Sequence, residues 1–166
     1  VNYQTAPITI REKVAINAED LCNYLSLLRS YIPQGVILST CNRTEIYSND
    51  SDGYDAENAS LDFLKARLNI SDGDLRRYVY CYKDKQVAEH LFHVASGLES
   101  MIVGEFEVLG QVGQALESAE EMGMVNLPLR YFFQSAIRTG RRVREDTGIS
   151  KNALSVSSIA VDLAEG

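Results

Sequence analysis

Gly35-Val36-Ile37-Leu38-Ser39-Thr40-Cys41-Asn42-Arg43-Thr44-Glu45-Ile46-Tyr47 reads as two extended segments joined by a short polar break. The first, Gly35 to Ser39, is a β-branched apolar run. The second, Thr44 to Tyr47, resumes the extended pattern. Paired as a hairpin, they put Thr40, Cys41 and Asn42 at the turn. Working outward, Val1 to Ala6 reads as a short strand stopped by Pro7. Ile10 to Arg29 carries Val14, Leu21, Leu25 and Leu28 at helical spacing. After a polar loop over Asn49 to Asp55, Ala59 to Leu68 looks helical, with Leu61, Leu64 and Leu68 on one side. Arg77 to Tyr82, rich in Tyr and Val, reads as a strand. The order β-α-β-β-α-β predicts a ferredoxin-like sheet within an α+β protein.

From residue 84 the texture becomes all helix. Val87, Leu91 and Phe92 lead a helix ended near Gly97. Val108, Leu109, Val112, Leu116 and Ala119 stripe a second, ended by Gly123. Leu129, Phe132, Phe133, Ala136 and Ile137 mark a third, and Val156, Ala160, Leu163 and Ala164 begin a fourth. Glu99 to Glu105 breaks the periodicity between two good helices, where functional loops often lie.

The chain has 166 residues, 45% hydrophobic and 23% charged, enough to bury a core. No run of about 18 apolar residues exists, so no membrane span is expected, and there is no secretory pattern at the start. The three cysteines, Cys22, Cys41 and Cys81, form no CxxC pair; an odd count fits reduced thiols in the cytoplasm. A net charge of −7 argues against a general nucleic-acid binder but leaves room for a local basic patch.

Cys41 is the most suggestive residue. A nucleophilic thiol needs access and a nearby positive charge. Arg43 offers either that charge or a bidentate fork for a substrate carboxylate. The plainer reading makes Cys41 a small apolar residue at a strand end. Cys22, in an apolar helix, and Cys81, at a strand end, are expected in the core. His90 and His93 stand one helical turn apart, but no further ligand completes a metal set, so no metal site is expected. His90 is either a general base or proton shuttle or a locally bonded helix-face residue. Gly97, Gly104, Gly110 and Gly113 contain no GxGxxG, hence no dinucleotide fingerprint. Arg138, Arg141 and Arg142 share a helical face, as a solvated face answering Glu145 and Asp146 or as a phosphate-contacting patch.

Four blocks together resemble glutamyl-tRNA reductase over nearly the whole chain. They are Asn2-Tyr3-Gln4-Thr5-Ala6-Pro7 with Ile10-Arg11-Glu12-Lys13; Ser39 to Tyr47; His90 to Glu105, continuing through Val108-Leu109-Gly110-Gln111-Val112; and Gly140 to Glu145 with Leu154-Ser155-Val156 beyond. The resemblance implies NADPH-dependent reduction of glutamyl-tRNA(Glu) to glutamate-1-semialdehyde through a Cys41 thioester, the first step of tRNA-dependent tetrapyrrole synthesis by way of 5-aminolevulinate. It implies that Arg43 grips the glutamate α-carboxylate. It puts His90, as a catalytic residue, and Ser100 at the glutamate pocket, with Thr40, Asn42, Glu105 and Gln111 as further candidates. Tyr3 stands where the family often has histidine, Gly113 where lysine follows Gly-Gln-Val, and Phe106-Glu107 where Pro-Gln is common. The implied organisation is a catalytic domain over 1–150, with a βαββαβ part (1–82) and a helical part (83–150), then the start of a connecting helix (151–166). The resemblance further implies that the family's NADPH-binding and dimerisation domains are expected outside these 166 residues. Its partners are a second copy in a homodimer and glutamate-1-semialdehyde aminomutase. Two rivals remain: a non-catalytic ferredoxin-like module binding a small molecule, and an interaction protein using the helical half.

Overall fold

The hairpin expected over residues 35–47 forms in the computed structural model, which describes residues 1–49, 55–68 and 72–150. Strands β1 (Val36–Ser39) and β2 (Thr44–Tyr47) pair antiparallel, Val36 against Tyr47 and Ser39 against Thr44. Val36, Ile37 and Leu38 are all buried, which explains a continuous apolar run in place of alternation.

The ferredoxin-like sheet is not assembled as expected. Among the described residues these are the two strands, with one isolated bridge from Asn2 to Arg43. The Val1–Ala6 strand stops there because the Asn2 side-chain oxygen accepts from the Gln4 and Thr5 amides, both at 3.0 Å. That is an asparagine turn competing with the ladder. Arg77–Tyr82 forms no strand either. The Tyr78 and Val79 amides still donate to the Leu75 carbonyl, which prolongs a helical turn after the short helix α4 (Asp72–Leu75). The tyrosines that suggested a strand serve side-chain contacts instead.

The single helix expected over Ile10–Arg29 is broken in two, α1 (Ile8–Val14) and α2 (Leu21–Leu28), with a 3₁₀ turn at Ala18–Asp20. The hairpin causes the break. The Ile16 amide donates to Ser39 Oγ at 2.9 Å, and Thr44 Oγ1 donates to the Val14 carbonyl at 3.3 Å, so polar side chains of the strands take main-chain groups that a continuing helix would have used. Helix α3 (Ala56–Leu68) buries Leu61, Leu64 and Leu68, as their spacing predicts. The Asp55 carboxylate caps it, accepting from the Asn58 amide.

Beyond these lie α5 (Lys85–Ser96), α6 (Glu107–Glu121) and α7 (Leu127–Thr147). Gly97 ends α5 at φ +78° and Gly123 follows α6 at φ +64°, both left-handed, as helix-stopping glycines require. Asn126 caps α7 by accepting from the Leu129 amide. The stretch 98–106 stays non-helical. The helix expected from Val156 lies outside the described residues.

Contacts divide the chain into two units. The first joins Val1–Tyr82 to Gln114–Tyr131, and includes a 2.8 Å bond from the Gly35 amide to the Met124 carbonyl. Its core contains Leu25, Leu28, Ile32, Phe63, Leu75 and Met124. The second joins Lys83–Gly113 to the chain from Phe132 on, around Leu91, Val94, Phe133 and Ala136. In this second unit α7 approaches α5 so closely at Gly140 that an added Cβ would collide with the Ala95 carbonyl oxygen and crowd Leu109 Cδ1 at 3.1 Å. Gly140→Ala is therefore expected to destabilise, with the overpacking outweighing the gain in helix propensity by on the order of 1–2 kcal/mol. Denaturant titration reads this directly, and an unchanged midpoint contradicts it.

Candidate active site

The β1–β2 turn is fixed from inside. The Thr40 amide donates to the Arg43 carbonyl at 2.8 Å, and Thr40 Oγ1 accepts from the Asn42 and Arg43 amides at 3.1 and 3.2 Å. Thr40 therefore ties the turn with its main chain and its side chain together. Asn42 is buried, and its carbonyl accepts from the Tyr3 amide at 2.9 Å. Cys41, between them, is exposed. A thiol on a turn with a constrained backbone meets the access requirement for a nucleophile.

Arg43 does not share that exposure. Only 2% of it is accessible, and its Nη1 pairs with Glu45 Oε1 at 3.0 Å. The other Glu45 oxygen accepts from the Tyr47 hydroxyl, and Oε1 also accepts from the Tyr80 hydroxyl. One carboxylate thus gathers a guanidinium and two phenols beneath the hairpin. Burial, then the Glu45 charge, pushes the ionisation of both tyrosines well above their ordinary range, so both hydroxyls stay protonated donors.

A second arginine, Arg11, also reaches the turn. From α1 its Nη1 donates to the Cys41 carbonyl at 3.1 Å and lies 3.5 Å from Asn42 Oδ1. Sequence reasoning missed this contact, as it missed Tyr80, because each partner is about 30 residues away and nothing in the spacing records the approach.

The remaining candidates belong to the second unit. His90 and Ser100 are buried, on α5 and in the 98–106 stretch. Glu105 is half-buried, and its carbonyl accepts from Arg144 Nη2 at 2.8 Å. Gln111, on α6, is half-buried. His93 is exposed and stands 3.6 Å from Glu99. No group of three His, Cys, Asp or Glu among the described residues is placed to hold a metal. Cys22 and Cys81, expected in the core, are both exposed. The buried residues of α2 are Leu25 and Leu28 and not Cys22, and Cys81 lies in a stretch that forms no strand.

Arg138, Arg141 and Arg142 are exposed on α7, and Arg142 pairs with Asp146 at 3.1 Å. Arg144 turns inward, donating also to the Ala95 and Gly140 carbonyls at 2.5 and 3.1 Å. No described helix is long and apolar enough to cross a membrane.

The family model of the glutamyl-tRNAGlu reductase N-terminal domain matches residues 1–147. Glutamyl-tRNA reductases of Pelotomaculum thermopropionicum and Carboxydothermus hydrogenoformans are each 43% identical to 99% of the chain, which covers 37% of their length. The solved structure of glutamyl-tRNA reductase from Methanopyrus kandleri aligns with a TM-score of 0.75 at 32% identity, over 99% of this chain and 38% of that one. The chain therefore spans little more than a third of these relatives.

Proposed function

This chain belongs to the glutamyl-tRNA reductase family, whose N-terminal domain it matches, and from that premise we propose that it performs the acyl-transfer half of that family's reaction. The observation that carries the reading is the exposed Cys41 on a turn held by Thr40, Asn42 and Arg11.

In the proposed step the Cys41 thiolate attacks the carbonyl carbon of the ester joining glutamate to tRNA. The C–S bond forms as the bond to the ribose oxygen breaks, and that oxygen leaves protonated. The product is a glutamyl thioester, so one difficult displacement becomes two easier ones. Arg43 answers the substrate α-carboxylate. Its Nη1 donates to Glu45 Oε1, which orients the guanidinium. His90, Ser100, Glu105 and Gln111 serve the glutamate by their match to the family's motifs, with His90 as the proton carrier and Thr40 and Asn42 as weaker contributors.

Reduction of the thioester to glutamate-1-semialdehyde needs a hydride donor, and NADPH is the one the resemblance implies. The described strands are antiparallel and make no βαβ unit, so these residues do not fit a dinucleotide, and no step through it is assigned to this chain. Dimerisation, association with the aminomutase, cytoplasmic residence and a place at the entry to tetrapyrrole synthesis are proposed for the longer family proteins.

Labelled glutamate on tRNA tests the acyl transfer. Mixing should leave label on the protein that survives acid and is released by added thiol. Label that stays wholly on tRNA contradicts the proposal. The exposed arginines make a second expectation. Replacing Arg141 and Arg142 by Ala should weaken tRNA binding and lower the salt-dependence slope by about 1–2. Equal affinity and slope would return that face to solvent-facing charge, consistent with the Arg142–Asp146 pair.

A further inference from the structure

We propose that Arg11 is the positioning residue of the nucleophile turn: its guanidinium docks on the Cys41 main chain and supplies the positive charge that favours the thiolate. The inference rests on the reading of Cys41 as a nucleophile, and it concerns how that thiol is prepared. Arg43, the neighbouring cation in sequence, is committed to a buried pair with Glu45. Arg11 is not so committed. No carboxylate among the described residues pairs with it; its polar contacts are the Cys41 carbonyl at 3.1 Å and Asn42 Oδ1 at 3.5 Å. Its Nε is buried and donates to nothing. A cation with a spare inward donor, held by the nucleophile's own main chain, is suited to an anion at that turn.

The position follows from the fold. Ser39 and Thr44 end α1 against the hairpin by bonding Ile16 and Val14, which sets the last turn of α1 beside the hairpin. The charged and titratable groups around the turn are Arg11 from α1, the paired Arg43 and Glu45 with the Tyr47 and Tyr80 hydroxyls on that carboxylate, and the Val1 amine, which donates to the Thr44 carbonyl at 3.2 Å and whose pKa burial lowers to about 6; Tyr3 meets the turn through its amide. A thiolate on the same residue as the contacted carbonyl lies within about 8 Å of the guanidinium, where one charge on a partly solvated neighbour is worth about half to one pH unit.

The experiment follows alkylation of each cysteine by iodoacetamide from pH 6 to 10, resolved by peptide mass spectrometry. In the parent chain the Cys41 midpoint should lie below those of Cys22 and Cys81. Arg11→Gln should raise the Cys41 midpoint by about half to one unit and leave the other two in place. Arg11→Lys, which keeps the charge, should recover most of the shift. In the parent, 1 M salt should move the Cys41 midpoint upward by screening, and this arm holds even where a variant folds poorly. A Cys41 midpoint unmoved by Arg11→Gln and by salt overturns the inference, and so does an equal shift in Gln and Lys. No glutamyl donor is present, so failure of acyl transfer is read separately: glutamate uptake with an unmoved midpoint would sink only the role of Arg11.

Discussion

Cys41→Ser is expected to abolish glutamate transfer to the chain while leaving its fold intact. Cys41 is exposed, and Thr40, main-chain groups and the Arg11 contact to a carbonyl hold the turn, so exchanging sulfur for oxygen is expected to leave the turn in place. What is lost is acidity. A serine hydroxyl does not ionise near neutral pH, so the nucleophilic anion is gone. The expected loss of transfer is at least a thousandfold, read as the rate of protein labelling, with the circular dichroism melt unchanged. A serine chain that keeps a tenth of the parent rate is incompatible with a covalent cysteine intermediate.

Glu45→Ala is expected to cost about 3–5 kcal/mol of stability, the range for leaving one partner of a buried ion pair alone. The Arg43 and Glu45 side chains are only 1% and 5% accessible, and the same carboxylate also accepts the Tyr47 and Tyr80 hydroxyls. Its removal takes one shared acceptor from three donors at once. Glu45→Gln, which keeps the acceptor and loses the charge, should fall between parent and Ala. The tyrosines add a pH signature. Their folded pKa values lie above the unfolded one, so the unfolded chain releases those protons first. Their contribution is full below about pH 10 and is eroded above it. Urea titrations at pH 7 and pH 10.5 measure both effects. A Glu45→Ala loss under 1 kcal/mol, or a parent equally stable at both pH values, contradicts this picture of the cluster.

The hairpin and its turn were legible because a β-branched run, a polar break and a second extended run are local signals that the packing happens to support. The α5, α6 and α7 helices were legible for the same reason, through periodicity and stopping glycines. The failures share a different cause. Val14 and Leu21 fit one helical stripe, yet Ser39 and Thr44 interrupt the helix between them, and neither is near in sequence. Tyr78, Tyr80 and Tyr82 fit a strand, yet Tyr80 is placed by the Glu45 carboxylate 35 residues earlier. At the turn, the placement of Cys41 between the strands was legible, while the contacts of the two arginines were not. Residue type says that Arg43 and Arg11 are both cations; only the fold decides that one is buried in a pair and the other reaches the Cys41 carbonyl.

The most direct test of the central claim is the location of the glutamyl group. After exposure of the chain to glutamyl-tRNA and an acid quench, peptide mass spectrometry should find one glutamyl adduct, on the peptide containing Cys41, absent from Cys41→Ser and removed by hydroxylamine. An adduct on Cys22 or Cys81, which are exposed too, or an unmodified chain beside discharged tRNA, would contradict the assignment of Cys41 as the acyl acceptor.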